Sequence, residues 1–396
     1  MEKDLVSVLM VNYNHADTIE KAIKSVLEQT YSKLRLIIVD DGSTDNSVAI
    51  IKSIKDPRIE LYEEKKNRQI SAVTNIGMRK VHGEYLARID SDDLWEKNKL
   101  EIQMKYLKEH PEYEICFTHA AMIDENDQRM DSELEKLYAV AYERQEEWLE
   151  TFFFIGNCLP MTSVLMTTRL MIETGEFNVA YRQLHDFDYW IRIAKKHAMA
   201  VIPEKLVKMR RYENKTNNSN TSEINTIRSY NEYVDIRRHF FDDMPDDLFK
   251  ITFGKYFRNS HASSTEELAC EKAFLLCRPW GQNEIISNVG VEAFIDLFQN
   301  PGMVDVLEKT YGLNIKNLYE LTGHHLYNDG KMQEDIQFLR EKNKELEIEK
   351  NKLQEMNERT KKEMINLKKR ILEYENSTSW KITKPLRKVE KSVRKK

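Results

Sequence analysis

Asp90-Ser91-Asp92-Asp93 sets three carboxylates within four residues, directly after the apolar run Tyr85-Leu-Ala-Arg-Ile89. That run reads as a buried strand, so the carboxylates stand together at its exit. They repel one another unless a cation sits among them. Hard divalent cations such as Mg²⁺ take oxygen ligands and keep positions open for substrate phosphates. A lone Asp-x-Asp says little in an acidic chain, so its place in the fold must carry the argument. Two more polar clusters share that setting. Asn12-Tyr13-Asn14 follows Leu5–Val11, and Asp40-Asp41-Gly42 follows Leu34–Val39.

The elements that would position these clusters alternate through residues 1–115. Leu5–Val11 reads as a strand. A capping-box pattern at Asp17–Glu20 then opens a helix with apolar residues at Ile19, Ala22, Ile23, Val26 and Leu27. Leu34–Val39 is the next strand, Ser43–Ile54 a helix, Ile59–Tyr62 a short strand, and Ser71–Val81 a helix that Gly83 is placed to end. This βαβαβαβ order predicts a mainly parallel, Rossmann-like sheet with right-handed crossovers. Such sheets bind ligands beyond the carboxyl ends of their strands, where all three clusters fall. Further on, Phe117–Ile123 and Ala200–Pro203 read as strands, and Trp148–Ile155 as an apolar helix or strand. Leu184–Ala194 reads as a helix with Asp186 and Asp188 in its first turn.

The chain has 396 residues and a net charge of -5, from 61 Lys+Arg against 66 Asp+Glu. That balance argues against a nucleic-acid binder. Cys116, Cys158, Cys270 and Cys277 show no metal-type spacing, and reduced thiols in a cytoplasm are the simplest reading. The start of the chain lacks a signal-peptide layout, and no run reaches the length of a spanning helix. A soluble or peripheral protein is expected.

The sequence divides into a catalytic-type domain at 1–235, a helical region at 236–330, a coiled coil at 331–376 and a basic tail at 377–396. The coiled coil rests on two series of seven-residue spacing. Ile336, Asn343, Lys350, Asn357, Met364 and Ile371 form one; Leu339, Leu346, Leu353, Thr360, Leu367 and Tyr374 form the other. Polar residues in the first series weaken such a seam but fix its register and favour a parallel dimer, so a homo-oligomer is expected. The tail is rich in Lys and Arg beside Trp380. It is either solvated or a contact for the inner, anionic face of a membrane.

Together, Val6–Asn14, Ile38–Asp45, Gly83–Asp93 and His185–Arg192 resemble the family 2 glycosyltransferases, whose fold is GT-A. The resemblance covers about residues 4–215. It implies transfer of a sugar from a nucleotide-diphosphate donor to an acceptor hydroxyl of a glycan or protein, with inversion. The tail segment Ser377–Arg387 is similar to one on many bacterial surface-polysaccharide glycosyltransferases, which implies a cell-surface glycan pathway and a cytoplasmic enzyme. The implied donor is a UDP-sugar, with a dTDP-sugar as the second choice.

Asp40 and Asp41 would hold the nucleotide, and either carboxylate can accept a uracil N3–H. Tyr13 can lie against the base or simply pack at the strand end. Asp92 would bind Mn²⁺ or Mg²⁺ directly, Asp90 would face the ribose or a metal-bound water, and Asp93 would cap the segment through Trp95. Asp186 would be the general base. Asp188 and Arg192 form a supporting ion pair.

Three departures from the family pattern matter. His185 replaces the usual Glu before the base and is a candidate acceptor contact. Gln69 replaces a common Gly after Asn67-Arg68, where Arg68 can reach the diphosphate or remain solvated. Tyr212 stands where many relatives have a metal-completing His. Two rival readings are an interaction protein with a degenerate catalytic domain and a nucleotidyltransferase. The second wants a Gly-rich phosphate loop after the first strand, and Asn12-Tyr-Asn14 is not one.

Overall fold

Strand β1 (Glu2–Asn12) is buried on both faces from Leu5 onward, which is why its sequence is continuously apolar rather than alternating. The computed structural model describes residues 1–212, 222–278, 288–324 and 330–383. In it, β2 (Leu34–Asp40) and β4 (Gly83–Asp90) flank β1, and β3 (Ile59–Glu63) pairs with β2, all parallel. Helices α1 (Ile19–Leu27), α2 (Ser47–Ser53) and α3 (Ile70–Met78) make the crossovers.

Beyond β4 come β5 (Leu94–Trp95), α4 (Lys99–Glu109), β6 (Ile115–Ile123), β7 (Arg129–Met130), α5 (Glu133–Leu137) and α6 (Gln145–Phe154). Then follow β8 (Leu165–Thr167), α7 (Thr168–Thr174), α8 (His185–Ala194) and β9 (Ala200–Arg210). The sheet runs in the order β3-β2-β1-β4-β8-β6-β9-β5, with β7 on β6. It is therefore more mixed than the predicted mainly parallel sheet. β4–β8, β6–β8, β5–β9 and β6–β7 are antiparallel, while β6–β9 is parallel.

The sheet separates two cores. Val6, Val8 and Met10 face α1 and α4, whereas Leu9 and Val11 face the side of α3, α6 and α8. Phe152, Phe187 and Trp190 are fully buried on that second side.

Helices continue the same compact unit, Met1–Asn328. They are α9 (Glu223–Arg238), which runs through position 235, α10 (Asp246–Phe253), α11 (Thr265–Leu276), α12 (Asn288–Phe298), α13 (Pro301–Tyr311) and α14 (Ile315–His324). The second unit, Asp329–Lys396, holds α15 (Gly330–Asn376), a single helix about 70 Å long at 1.5 Å per residue. The tail beyond Thr383 lies outside the described residues. Among the described residues no helix is long and apolar enough to cross a membrane.

Some local expectations differ from the structure, and one left open is decided by it. Thr18, not Asp17, precedes α1 and makes no side-chain cap; its hydroxyl donates to the Ser91 carbonyl at 3.2 Å. The apolar segment at Trp148 is helix, because it packs as one face against α8 and α10. Gly83 does not end a helix; it starts β4, where its N–H donates to Ser7 Oγ at 2.9 Å. A Cβ there would stand 2.2 Å from the Leu5 carbonyl oxygen. Backbone on both sides of that contact belongs to the central strand pair and cannot yield. Gly83→Ala is therefore expected to lower the melting temperature by roughly 5 °C or more. A thermal melt within one degree of the parent would contradict this packing.

Candidate active site

Strand register brings the three polar clusters together. Asn12 stands opposite Asp40, and Val11 opposite Asp90, at the carboxyl ends of β1, β2 and β4. The loops behind them are stitched side by side. Asn14, at φ 56°, accepts the Thr44 N–H at 2.7 Å, and its own N–H donates to Ser43 Oγ at 2.9 Å. Tyr13 is 42% exposed.

The two neighbouring aspartates differ. Asp40 is buried and accepts Asn12 Nδ2 at 2.8 Å, Ser43 N–H at 2.8 Å and Ser43 Oγ at 2.6 Å. Its carboxylate is engaged in closing the turn. Asp41 accepts one N–H on each oxygen, from Arg68 at 2.6 Å and Gln69 at 3.0 Å. Each oxygen keeps a lone pair for a further donor. Burial pushes the Asp41 carboxyl up, and those two N–H groups pull it back. The Arg68 guanidinium itself lies on Glu64 at 2.7 Å.

Arg88 and Asp90 share one face of β4 by strand alternation, the face that packs toward α8. Arg88 is buried and pairs with Asp90 at 2.7 Å. Asp92 is half-buried, and burial raises its carboxyl while His15 opposes that rise. His15 Nδ1 lies 2.7 Å from Ser91 Oγ, which places the imidazole at this loop. The loop is closed by Arg210. Its Nε donates to the Asp92 carbonyl at 2.8 Å, and its N–H to Asp93 Oδ1 at 2.9 Å.

Asp93 therefore does not cap the segment at Trp95, whose N–H goes to Ser25 Oγ. Asp93 points inward, and burial with the adjoining Asp92 and Asp90 pushes it well above the carboxylate range. Tyr212 stands beside Asp92, hydrogen-bonded to Thr18, and burial, with the Asp92 charge next, pushes its phenol up to about 12.

Among the described residues no three His, Cys, Asp or Glu groups converge on a metal position. Asp92 and Asp90 would hold a divalent cation in another way. Mg²⁺ is commonly held by one or two carboxylates and completes its shell with substrate phosphates and water. Such a cation would supply neutralisation of phosphate charge.

Asp186 lies in the first turn of α8. Its Oδ2 accepts Asn157 Nδ2 at 3.0 Å and its Oδ1 the Phe187 N–H at 2.8 Å. Burial raises its carboxyl, opposed first by His185. His185 Nδ1 is 3.1 Å from the Arg182 carbonyl, and burial pushes the imidazole pKa down. The charge of Arg88 acts on both His185 and Asp186. Asp188 and Arg192 pair at 3.0 Å, away from the cleft. The sequence reading missed His15, Arg88 and Asn157. Arg88 alone had a signal: a charged residue inside an otherwise apolar strand.

Residues 7–167 match the family model Glycosyl transferase family 2. A curated Rickettsia felis protein described as an uncharacterized glycosyltransferase is 33% identical over 217 residues, 52% of this chain and 33% of that protein. The chain thus spans about a third of that relative's length. The Escherichia coli UDP-Glc:alpha-D-GlcNAc-diphosphoundecaprenol beta-1,3-glucosyltransferase WfaP is 27% identical over 49% of this chain and 71% of its own. Among solved structures, S. aureus TarS 1-349 in complex with UDP-GlcNAc aligns with a TM-score of 0.52 and 14% identity, over 73% of this chain and 81% of that one. That likeness is one of fold.

Gln69 precedes α3 at φ 73° and ψ 158°, a backbone conformation that favours glycine. Its N–H is nevertheless held on Asp41. Gln69→Gly is expected to stabilise the protein by about 1 kcal/mol in denaturant unfolding, with nucleotide affinity unchanged. A loss of stability would show that the side chain contributes more than its strain removes.

Proposed function

We propose that this chain is an inverting, divalent-metal-dependent glycosyltransferase using a UDP-sugar. The observation that carries the reading is the strand register that sets Asp40 and Asp90 beside the end of β1, at the carboxyl ends of its two neighbours. Asp41 keeps acceptor capacity beside two backbone N–H groups, Asp90 pairs with Arg88, and Asp186 is held by Asn157 in the first turn of α8. Asp41 would accept the uracil N3–H, while Asp40 keeps the turn in shape. Asp92, with Asp90, would hold Mn²⁺ or Mg²⁺ against the donor diphosphate. Asp186 would accept the proton of the acceptor hydroxyl. As that oxygen bonds to the anomeric carbon from one face, the bond to the diphosphate breaks on the other. The raised carboxyl of Asp186 suits a general base better than an ordinary aspartate would.

The UDP-Glc donor and lipid-diphosphate-linked acceptor in the name of the Escherichia coli relative support a UDP-hexose donor and a surface-glycan pathway. For α15 we infer self-association. Leu339, Leu346, Leu353 and Leu367 are all more than half exposed along one seven-residue series. Two such helices would bury them against each other as a parallel dimer.

The test is nucleoside diphosphate release from a panel of UDP-, dTDP- and GDP-sugars, with Mn²⁺ or with chelator. Release from a UDP-sugar is expected, lost with chelator and in Asp92→Ala, with activation only at super-micromolar metal. Asp186→Asn is expected to lower turnover at least 10²-fold and leave UDP binding intact. The acid limb of the parent's pH–rate profile is expected above the ordinary aspartate value of about 3.9, because the base acts only when ionised and its carboxyl is raised. Absence of both release and UDP binding would reject the enzyme. For the helix, sedimentation of the full chain is expected to show a dimer that Leu346→Asp with Leu353→Asp dissociates; a monomeric parent would reject the seam.

A further inference from the structure

We infer that helix α9 is the positioning element of the proposed base, acting through Glu232, Tyr233 and Arg237. This rests on the reading of Asp186 above and extends it to residues beyond the matched family region of 7–167. Glu232 is buried, and its carboxylate accepts three consecutive backbone N–H groups, from Arg182, Gln183 and Leu184, each at 2.8 Å. Those residues lead directly into His185 and Asp186. Leu184, the N-cap of α8, has no side-chain cap of its own. Glu232 thus fixes the entry to α8 from outside, and an anion there also favours the positive end of the helix dipole.

One residue on, the Tyr233 ring stacks parallel to Phe187, the residue after Asp186, at 6.2 Å between centroids. One further turn along, Arg237 donates to the Phe153 carbonyl at 3.0 Å, near the end of α6. That helix end leads to Asn157, whose amide holds Asp186 Oδ2. The second guanidinium nitrogen of Arg237 donates to the Arg278 carbonyl at 2.9 Å, just past α11. Arg238 pairs with Glu292 of α12 at 2.8 Å. Both supports of Asp186, its own helix entry and Asn157, are therefore set by one helix that is braced by the accessory helices behind it. Misplacing a catalytic group by about 1 Å can cost on the order of 10²-fold in rate.

The test compares Glu232→Gln with the parent, Asp186→Asn and the double variant. A glutamine keeps one acceptor oxygen but turns an amide N–H toward the remaining backbone donor. Glu232→Gln is expected to lower kcat for UDP release from the active UDP-sugar about 10-fold to 100-fold. UDP affinity and donor KM should stay within two-fold, and amides 182–187 should exchange faster. On the Asp186→Asn background, the same change is expected to cost nothing more, which a merely structural role would not reproduce. Turnover within two-fold of the parent, a full further loss on the Asp186→Asn background, or loss of UDP binding would each overturn the inference. Full turnover in Asp186→Asn would instead overturn the base assignment, and this inference with it.

Discussion

Burying carboxylates at one end of a sheet is strongly unfavourable unless each is given donors or an opposite charge. Much of the polar structure in the first compact unit answers that constraint. Asp40 is neutralised in effect by three donors from the neighbouring loops, and Asp41 by two backbone N–H groups. Asp90 takes the buried Arg88, and Asp93 the backbone of Arg210. Burial raises the carboxyls of Asp92 and Asp186, and pushes that of Asp93 well above the carboxylate range. Asp92 and Asp186 are the two proposed above for ligand and proton chemistry.

The site is thus built in two halves with different construction. One half, at Asp40, Asp41 and Asp90, is made of parallel strands and the turns that follow them, where backbone geometry does most of the positioning. The opposite half hangs on helix termini, and its groups depend on distant side chains. Arg88 spans the two. It grips Asp90, and its charge is felt at His185 and Asp186. Arg210 performs a similar joining role by tying the Asp92 loop to Asp127 in the turn before β7.

Sequence reading succeeded where chemistry is local. The first four strands, their crossovers and the acidic clusters at their exits are visible because apolar runs and turn residues sit next to each other in the chain. It failed where one polar side chain acts across a long separation. Asn157 belongs to no motif, and its meaning depends on the fold placing α6 beside α8. His15 reads as an ordinary loop residue until its ring meets Ser91. Asp93 looked like a cap because a cap is the local option; the tertiary partner Arg210 won. The antiparallel strands were illegible for the same reason. β5, β7 and β8 are two or three residues long, too short to show a period.

The order of the sheet also sets an order of events during synthesis. β1 to β4 are adjacent in both sequence and space, so they can pair as soon as the first ninety or so residues are free. The carboxylate loop after β4 is different. Its clasp, Arg210, stands 118 residues downstream of the Asp92 carbonyl it holds, at the end of β9. β9 in turn pairs with β6 from Cys116 to Ile123, so that half of the sheet closes late. A nascent chain would then hold the paired strands β1 to β4 while the carboxylate loop after β4 is still without its Arg210 clasp.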